Sequence, residues 1–300
     1  MITPFSVCAL LGLLSGPASD LAPQASQDDP QEQPVLELTF GVYQTDKATT
    51  LYRQFTPTLE VLQERLELEL GREVDIQLRI YKTYDEGIDA LAEGSVDFVR
   101  FGPASYITAH ARQPEVQLLA MEHKDGKKRF NGVIVVRADS DITRLSDLRG
   151  KRFAFGDPNS TIGRYLVQDL LVEAGIFAKD LGGSGYLGRH DKVALAVAIG
   201  DYDAGALKKS TLKAVDQQGR LRVLTTFENV TKPWIARAGL ETKAVRAISQ
   251  ALIGMQAGDA LEALGVSGFL PTSDAEYAFV RRAMRGSREF EGIASRSQGR

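Results

Sequence analysis

Hydrophobic and polar positions follow strand-like and helix-like spacings in turn from residue 35 onward. Residues 36–42 alternate apolar and polar side chains with a period of two, which is typical of a strand. Residues 51–70 repeat apolar side chains every three or four positions and end at Gly71, which indicates an amphipathic helix. Further strands are predicted at 74–80, 96–99 and 116–121, and further helices at 85–92 and 103–111. This βαβα order predicts an α/β fold with a mainly parallel sheet covered on both faces.

A second unit of the same kind begins near Arg137. Strands are predicted there at 152–155, 184–187, 202–206 and 221–227, and helices from Ser160 and at 190–199 and 208–215. Two further helices, at 241–255 and 274–284, follow after the chain has returned to the first unit. The chain then has to enter the second unit and return from it. We place these two crossings near residues 131–137 and 224–233, so the second unit is inserted into the first.

The predicted organisation is therefore two α/β lobes, each built on a mainly parallel sheet, joined by a two-crossing hinge. Lobe 1 comprises residues 35–136 and 230–285, lobe 2 comprises residues 137–229, and residues 286–300 form a polar tail. Two lobes joined by paired crossings would hinge around a cleft. Sites in such sheets lie beyond the carboxyl ends of the strands, so the cleft is the expected site.

The N-terminal residues differ in composition from the rest of the chain. Residues 7–14 are apolar and are followed by small residues, which predicts a secretory signal peptide over 1–22 that is too short to span a bilayer. Residues 23–34 are polar and contain proline, so we interpret them as a linker. The single cysteine, Cys8, precedes most of the apolar run, which argues against a lipoprotein. We predict export to the periplasm.

The overall composition is that of a soluble globular protein, with 43% apolar and 25% charged residues. The net charge is −3, and Lys and Arg are scattered along the chain, so no nucleic-acid partner is predicted. Binding of a small anion would then depend on local dipoles and hydrogen bonds. We expect a monomer.

The strongest candidate for such an anion site follows the strand at 152–155. A tight polar turn leads from it into a helical pattern, with Ser160 at the N-cap position. The first-turn amides of Thr161, Ile162 and Gly163 have no intrahelical partner, and the helix dipole is positive there. Together they could bind an anion. A plain N-cap without a ligand is the commoner interpretation of such a helix start.

Catalysis and metal binding are poorly supported by the sequence. Ser160, His190 and Asp203 could be combined into a triad, but no Gly-x-Ser-x-Gly elbow surrounds the serine. The other histidines, His110 and His123, are widely spaced and lack a metal-site signature. Neither a P-loop nor a dinucleotide fingerprint occurs. We therefore expect a protein that is not an enzyme and has no cofactor.

Several segments are distinctive in their order and spacing. These are residues 94–98, 101–106, 157–163, His190 with 200–206, and, less specifically, 268–271 with Tyr277. Together they resemble the periplasmic solute-binding proteins of phosphonate, phosphite and phosphate ABC transporters, over roughly residues 40–284. The resemblance implies a type II periplasmic binding fold, a phosphorus oxyanion as ligand and a membrane permease as partner.

The resemblance also implies a ligand site at the helix start described above. The family holds the phosphonate head group at a Ser-Thr-Ser-Gly sequence, which here is Ser160, Thr161, Ile162 and Gly163. Ile162 replaces a hydroxyl and can offer only its backbone amide. A family histidine corresponds to His190, which would donate to the anion or, alternatively, only begin a helix.

Four further positions correspond less closely to the family site, and Arg100 is a candidate from its position alone. A family tyrosine corresponds to Tyr84, and an aromatic residue, often a tyrosine, corresponds to Phe101. Both could instead be packing residues. Ser210 and Lys232 stand where aminophosphonate binders carry acids, which argues against an ammonium-bearing ligand. Arg100 ends a buried strand, where it either pairs with a carboxylate or adds positive charge to the site.

Two other functions stay open at this point. The same module could signal ligand binding to a membrane sensor protein, or it could bind another small organic ligand in a larger aromatic cleft. The sequence does not decide between phosphate, phosphite and alkylphosphonate.

Overall fold

The computed structural model describes residues 34–292, so the predicted signal peptide and almost all of the predicted linker lie outside the described residues. The chain forms a six-stranded and a five-stranded sheet, with the orders β11-β4-β10-β3-β1-β2 and β7-β6-β8-β5-β9. The strands are β1 (Leu36–Tyr43), β2 (Val74–Tyr81), β3 (Phe98–Arg100), β4 (Gln117–His123), β5 (Arg129–Arg137), β6 (Arg152–Phe155), β7 (Gly183–Tyr186), β8 (Ala204–Lys208), β9 (Leu221–Val230), β10 (Pro233–Ala236) and β11 (Gly268–Leu270).

Helices cover both sheets, as the alternating pattern predicts. They are α1 (Ala48–Leu70), α2 (Tyr84–Ala92), α3 (Pro103–Arg112), α4 (Val167–Glu173), α5 (His190–Ala198), α6 (Lys209–Val215), α7 (Thr242–Ile253), α8 (Asp259–Leu264) and α9 (Ala278–Phe290). A π-helical turn, Thr161–Leu166, precedes α4 directly. The predicted apolar stripe of α1, from Leu51 to Leu70, is buried against the six-stranded sheet, and α1 ends at Gly71 in the left-handed conformation.

Each sheet is mixed, whereas mainly parallel sheets were predicted. In the first sheet β1 pairs in parallel with β2 and β3, but β10 runs antiparallel between β3 and β4. In the second sheet β6 pairs in parallel with β7 and β8, but β5 runs antiparallel between β8 and β9. The reason is the hinge, because strands that leave and re-enter the same crossing point run in opposite directions.

The two crossings are shorter than the sequence suggested. β4 belongs to the first sheet and β5 to the second, so the chain crosses at residues 124–128 and not at 131–137, which lie within β5. It returns between β9 and β10 through residues 231–232, inside the predicted range 224–233. We refer to the two sheets with their helices as lobe 1 and lobe 2; residues 129–136 then belong to lobe 2. The crossings are paired, since Thr231 N donates to Lys128 O at 3.0 Å.

The C-terminal segment also differs from the prediction. Residues 286–290 were assigned to a polar tail, but they form the last turn of α9. Phe290 is 2% exposed and packs edge-on against Phe155 of lobe 2, with ring centroids 5.6 Å apart. Phe290 belongs to the hydrophobic core of lobe 2, so the end of α9 packs on that lobe, which the polar composition of residues 286–300 did not indicate.

Candidate functional site

A small cavity of about 40 Å³ lies between the two lobes, where several strands and helices begin or end. Most of the residues that the sequence singled out line it, namely Tyr84, Arg100, Phe101, Ser160, Thr161, Ile162, His190 and Lys232. Lobe 1 contributes the start of α2 and the β3–α3 junction. Lobe 2 contributes the π-helical turn and the start of α5. The structure thus brings together residues that are far apart in the sequence.

The predicted N-cap is present at the entrance to the π-helical turn. Ser160 Oγ accepts a hydrogen bond from Gly163 N at 2.9 Å. Ser160 is 3% exposed, and Thr161 and Ile162 are 5% and 3% exposed. The amides of Thr161 and Ile162 lie ahead of the first intrahelical bond and have no acceptor within the helix. These two amides and the Ser160 hydroxyl hydrogen are available to a bound acceptor.

Gly163 supports the turn and does not line the cavity. Gly156 N donates to Gly163 O at 2.8 Å, so the strand end and the turn are in direct backbone contact. A Cβ atom added to Gly163 would lie 2.7 Å from Gly156 Cα, a distance that backbone atoms cannot relieve without moving. Glycine is therefore required here for close packing, and the ligand contact predicted for Gly163 is replaced by this role.

Thr161 connects the two lobes. Its Oγ1 accepts a hydrogen bond from Ala104 N, in the first turn of α3, at 2.9 Å. The helix starts of α3 and of the π-helical turn therefore face each other across the cavity, and both direct positive dipole ends toward it. Because Oγ1 accepts from Ala104, the hydroxyl hydrogen of Thr161 remains free to donate to a ligand.

Aromatic rings form the lobe 1 wall of the cavity. Tyr43, which sequence reasoning missed, stacks on Tyr84 with ring centroids 3.7 Å apart and on Phe101 at 5.1 Å. The Tyr43 hydroxyl accepts from Gly102 N at 2.6 Å and is 2.9 Å from Ser105 Oγ. Burial raises the pKa of Tyr84 well above its usual range, while its hydrogen-bonding neighbour Ser160 opposes the shift. Both phenols are therefore neutral donors at physiological pH.

Phe101 is both a packing residue of lobe 1 and part of the cavity wall. It is fully buried in a hydrophobic cluster of lobe 1 and presents one edge of that cluster to the cavity. It can make only apolar contacts with a ligand.

Arg100 is neutralised by a carboxylate. Its guanidinium makes two hydrogen bonds to Glu122, at 2.7 and 3.0 Å, and Trp234 Nε1 donates to the same carboxylate at 3.2 Å. Burial opposes ionisation of Glu122, but the charge of Arg100 prevails and lowers the carboxyl pKa. The salt-bridge interpretation of Arg100 therefore fits, and its net contribution to the charge of the cavity is small.

Two lysines add the remaining positive charge. Lys208, at the end of β8, lies 3.5 Å from Asp46 across the interlobe gap. Lys232 lies in the second crossing, and within residues 34–292 it makes no salt bridge. Burial lowers the pKa of Lys232 well below its usual value, and repulsion from Arg100 and Lys208 lowers it further. An anion placed between these groups would reverse that shift.

His190 starts α5 and is 4% exposed, and its buried Nδ1 has no hydrogen-bond partner among residues 34–292. Burial lowers its pKa to about 3, and the nearby Lys208 acts in the same direction. The ring is thus neutral near pH 7, and one of its nitrogens carries a hydrogen. Asn229 is 1% exposed, lines the same cavity and has an unpartnered Oδ1. Buried polar atoms without partners are rare and are typical of sites that await a ligand.

Ser210 does not reach the cavity. It is exposed on α6 and lines a neighbouring, larger groove. Asp203 is also remote, since it binds Arg152 at 3.2 Å on the far side of lobe 2. Ser160, His190 and Asp203 therefore do not form a catalytic triad.

Sequence reasoning missed Tyr43, Asp46, Lys208 and Asn229. Tyr43 and Lys208 are the last residues of strands β1 and β8, and sites in α/β sheets collect at such positions. Strand position therefore offered a signal for these two. No sequence signal indicated Asp46 or Asn229, because neither residue ends a strand and Asp46 acquires its partner, Lys208, only from the other lobe.

Residues 34–292 contain neither a membrane-spanning helix nor a cluster of metal ligands. None of the helices found there combines the length and the apolar character needed to cross a membrane. In the same residues, no group of three or more His, Cys, Asp or Glu side chains is arranged to hold a metal ion.

Comparison with known proteins gives related results by sequence and by structure. The family model described as ABC transporter, phosphonate, periplasmic substrate-binding protein matches residues 40–277. A probable ABC transporter phosphite binding protein of Prochlorococcus marinus is 29% identical over 203 residues, or 61% of this chain and 68% of the relative. The phosphate-import protein of Mycolicibacterium smegmatis is 31% identical over 179 residues, or 56% of this chain and 54% of the relative.

A solved structure shares the fold. PhnD1 of Prochlorococcus marinus, in complex with methylphosphonate, superposes with a TM-score of 0.72 at 22% identity, covering 83% of this chain and 97% of that one. The type II periplasmic binding fold expected from the sequence is thereby confirmed. The family model spans most of the chain and includes the cavity-lining segments of both lobes. The chain therefore belongs to the family of periplasmic substrate-binding proteins of phosphonate ABC transporters.

Proposed function

We propose that this protein binds a phosphorus oxyanion (phosphate, phosphite or an alkylphosphonate) in the interlobe cavity and delivers it to an ABC transporter permease. Family membership supports the transport role, and the relatives named for phosphite and phosphate, with the methylphosphonate complex, support the ligand class. The protein carries its ligand unchanged and acts as a carrier and not as an enzyme.

The observation that carries this proposal is the set of unused donors around one small cavity. The amides of Thr161 and Ile162, the hydroxyls of the helix start, the His190 ring and the Lys232 ammonium all border it. Donors converge from several directions, as a tetrahedral group with three oxygens requires. Charge-assisted hydrogen bonds from such donors are the strong ones, so an anion would gain more here than a neutral ligand.

The charge balance supports an anion of low charge. Three cations, Arg100, Lys208 and Lys232, line the cavity. Glu122 and Asp46 each pair with one of them, at 2.7 and 3.5 Å. Among the described residues Lys232 has no carboxylate partner, and burial disfavours its charged form until an anion arrives.

The cavity size limits the part of the ligand that fits inside. One water needs roughly 10–15 Å³ of such volume, so a space of about 40 Å³ admits a group about three waters in size. A phosphate, a phosphite or the phosphonate head group fits this description. Another organic ligand in a larger aromatic cleft, which the sequence left open, would need a wider opening of the lobes.

Contacts between the lobes support closure around the ligand. The Thr161–Ala104 hydrogen bond, the Lys208–Asp46 salt bridge and a 2.9 Å hydrogen bond from Asn159 to Asp85 all cross the gap. Such contacts exist only when the lobes are together. An anion that binds both lobes would add to them and shift the population toward the closed form.

Titration calorimetry of the purified protein tests the proposal. Phosphate, phosphite and methylphosphonate are compared with sulfate and aminoethylphosphonate. We expect at least one of the first three to bind, and aminoethylphosphonate to bind more weakly than that ligand, because its ammonium would face Lys232 and Lys208. A Lys232→Met variant should lose binding, while Lys243→Gln, an exposed change of equal charge on α7, should not. Absence of heat with all three phosphorus anions would refute the proposal.

We also propose that the mature protein is a periplasmic monomer without a nucleic-acid partner. The predicted signal peptide at 1–22 and linker at 23–34 support export, and the family is periplasmic. N-terminal sequencing of the exported protein and its elution volume on a sizing column test these points. A transport role, as opposed to signalling to a sensor protein, predicts that deletion of the gene abolishes uptake of the bound anion.

A further inference from the structure

A large, strongly basic groove adjoins the small cavity. Its volume is about 510 Å³, and it shares Arg100, Phe130, Lys208 and Lys232 with the cavity as lining residues. Seven Lys and Arg side chains line it, and among the described lining residues Glu122 is the only carboxylate. Since the whole chain has a net charge of −3, this concentration of positive charge is local.

The inner end of the groove contains polar groups without partners. Thr231 is 6% exposed, and its hydroxyl has no hydrogen-bond partner among residues 34–292. Lys232 follows directly and borders both the groove and the cavity. Buried polar atoms of this kind are usually satisfied, so their presence points to a ligand group that reaches them.

The outer end is lined by exposed lysines of helix α6. Lys209 and Lys213 are exposed there, and neither makes a salt bridge in the described part of the chain. The end of α8 and the loop that follows it also line the groove, with backbone and apolar surface from residues 263–266. A chain of a few carbon atoms could lie along this surface with an anionic end near the lysines.

From these features we propose that the physiological ligand carries a second anionic group on the phosphorus substituent, as a phosphonocarboxylate does. The phosphonate head group occupies the 40 Å³ cavity, and its substituent passes Lys232 and Thr231 into the groove, where the carboxylate meets the α6 lysines. This inference rests on the proposed function. It explains why lysines line the groove in addition to the cavity, which by itself accommodates one head group.

The alternative substituents fit less well. An ammonium would lie among cations, and like charges repel at these distances. A bare alkyl chain would leave the Thr231 hydroxyl and the lysines without a partner. Only a negatively charged end complements the basic rim.

The test compares ligands that differ only in the second charge. Calorimetry measures methylphosphonate, phosphonoacetate and 3-phosphonopropionate against the parent, the double variant Lys209→Gln with Lys213→Gln, and the control Lys243→Gln. In the parent we expect a phosphonocarboxylate to bind more tightly than methylphosphonate. In the double variant the affinity for the phosphonocarboxylate should fall by about threefold to tenfold, as expected for partly exposed charge pairs. The affinity for methylphosphonate should change by less than about twofold.

Three outcomes would overturn the inference. The first is tighter binding of methylphosphonate than of both phosphonocarboxylates by the parent. The second is an equal loss for all ligands in the double variant, which would mean that the groove only attracts anions in general. The third is an equal loss in Lys243→Gln. If methylphosphonate still binds tightly in any of these cases, the proposed function stands. If no phosphorus anion binds, both the proposed function and this inference are refuted.

Discussion

The buried His190 makes a quantitative prediction about stability and pH. Its pKa is lowered from 6.5 to about 3 in the folded chain, first by burial and then by Lys208. Below pH 6.5 the unfolded chain takes up a proton on this histidine that the folded chain does not, so the fold loses stability as pH falls. The loss from this residue is about 2 kcal/mol at pH 5, relative to pH 7.5.

The figure at pH 5 depends mainly on the unfolded-state pKa, because pH 5 lies well above the folded-state value of about 3. Urea unfolding gives the free energy of unfolding of the parent and of His190→Gln at pH 7.5 and pH 5. The contribution of His190 is the change between the two pH values in the parent minus the same change in the variant. The parent should lose about 2 kcal/mol more than the variant over this interval. Other titrating groups cancel in the comparison.

A second histidine variant serves as the control. His110→Gln removes a histidine on α3 outside the cavity, and it tests whether the effect belongs to His190. Addition of saturating methylphosphonate tests the donor role, because a bound anion that accepts from His190 raises its pKa and should reduce the loss at pH 5. Parallel pH dependence of the parent and His190→Gln would contradict the buried, neutral histidine on which this reasoning is built.

Three further predictions concern the same site. Ser160→Ala and Thr161→Ala should each weaken anion binding by about 1.5–3 kcal/mol, measured by calorimetry, and Ser160→Ala should also reduce the free energy of unfolding by about 1 kcal/mol through the lost cap. Unchanged affinity in both would remove the helix start from the site. Lys232→Met should stabilise the ligand-free protein against urea while it abolishes anion binding, because it removes a buried amino group whose charged form is disfavoured there; lower stability would contradict this. Glu122→Gln should cost about 3–5 kcal/mol of unfolding free energy, since it leaves Arg100 buried without its partner, and a cost below about 1 kcal/mol would show that the pair is dispensable.

Local sequence patterns predicted most of the framework. The period-two run in β1, the apolar stripe and final glycine of α1, and the Ser160 N-cap each depend on residues within one or two turns of each other. Such features are set by backbone sterics and local hydrogen bonds, so they can be read from a single sequence. Strands β5, β10 and β11 were missed, and all three pair antiparallel with β4 or β8 in sheets that were predicted to be mainly parallel.

The charge state of the site was decided only by the tertiary structure. Whether Arg100 added charge or was neutralised depended on Glu122, which lies on β4, two strands away across β10. Lys208 meets Asp46 only because the lobes face each other, and Lys232 is left unpaired for the same geometric reason. Sequence spacing carries no information on such pairs. Local physics therefore determined the helix start that can bind an anion, while packing between the lobes determined which cations remain free to bind one.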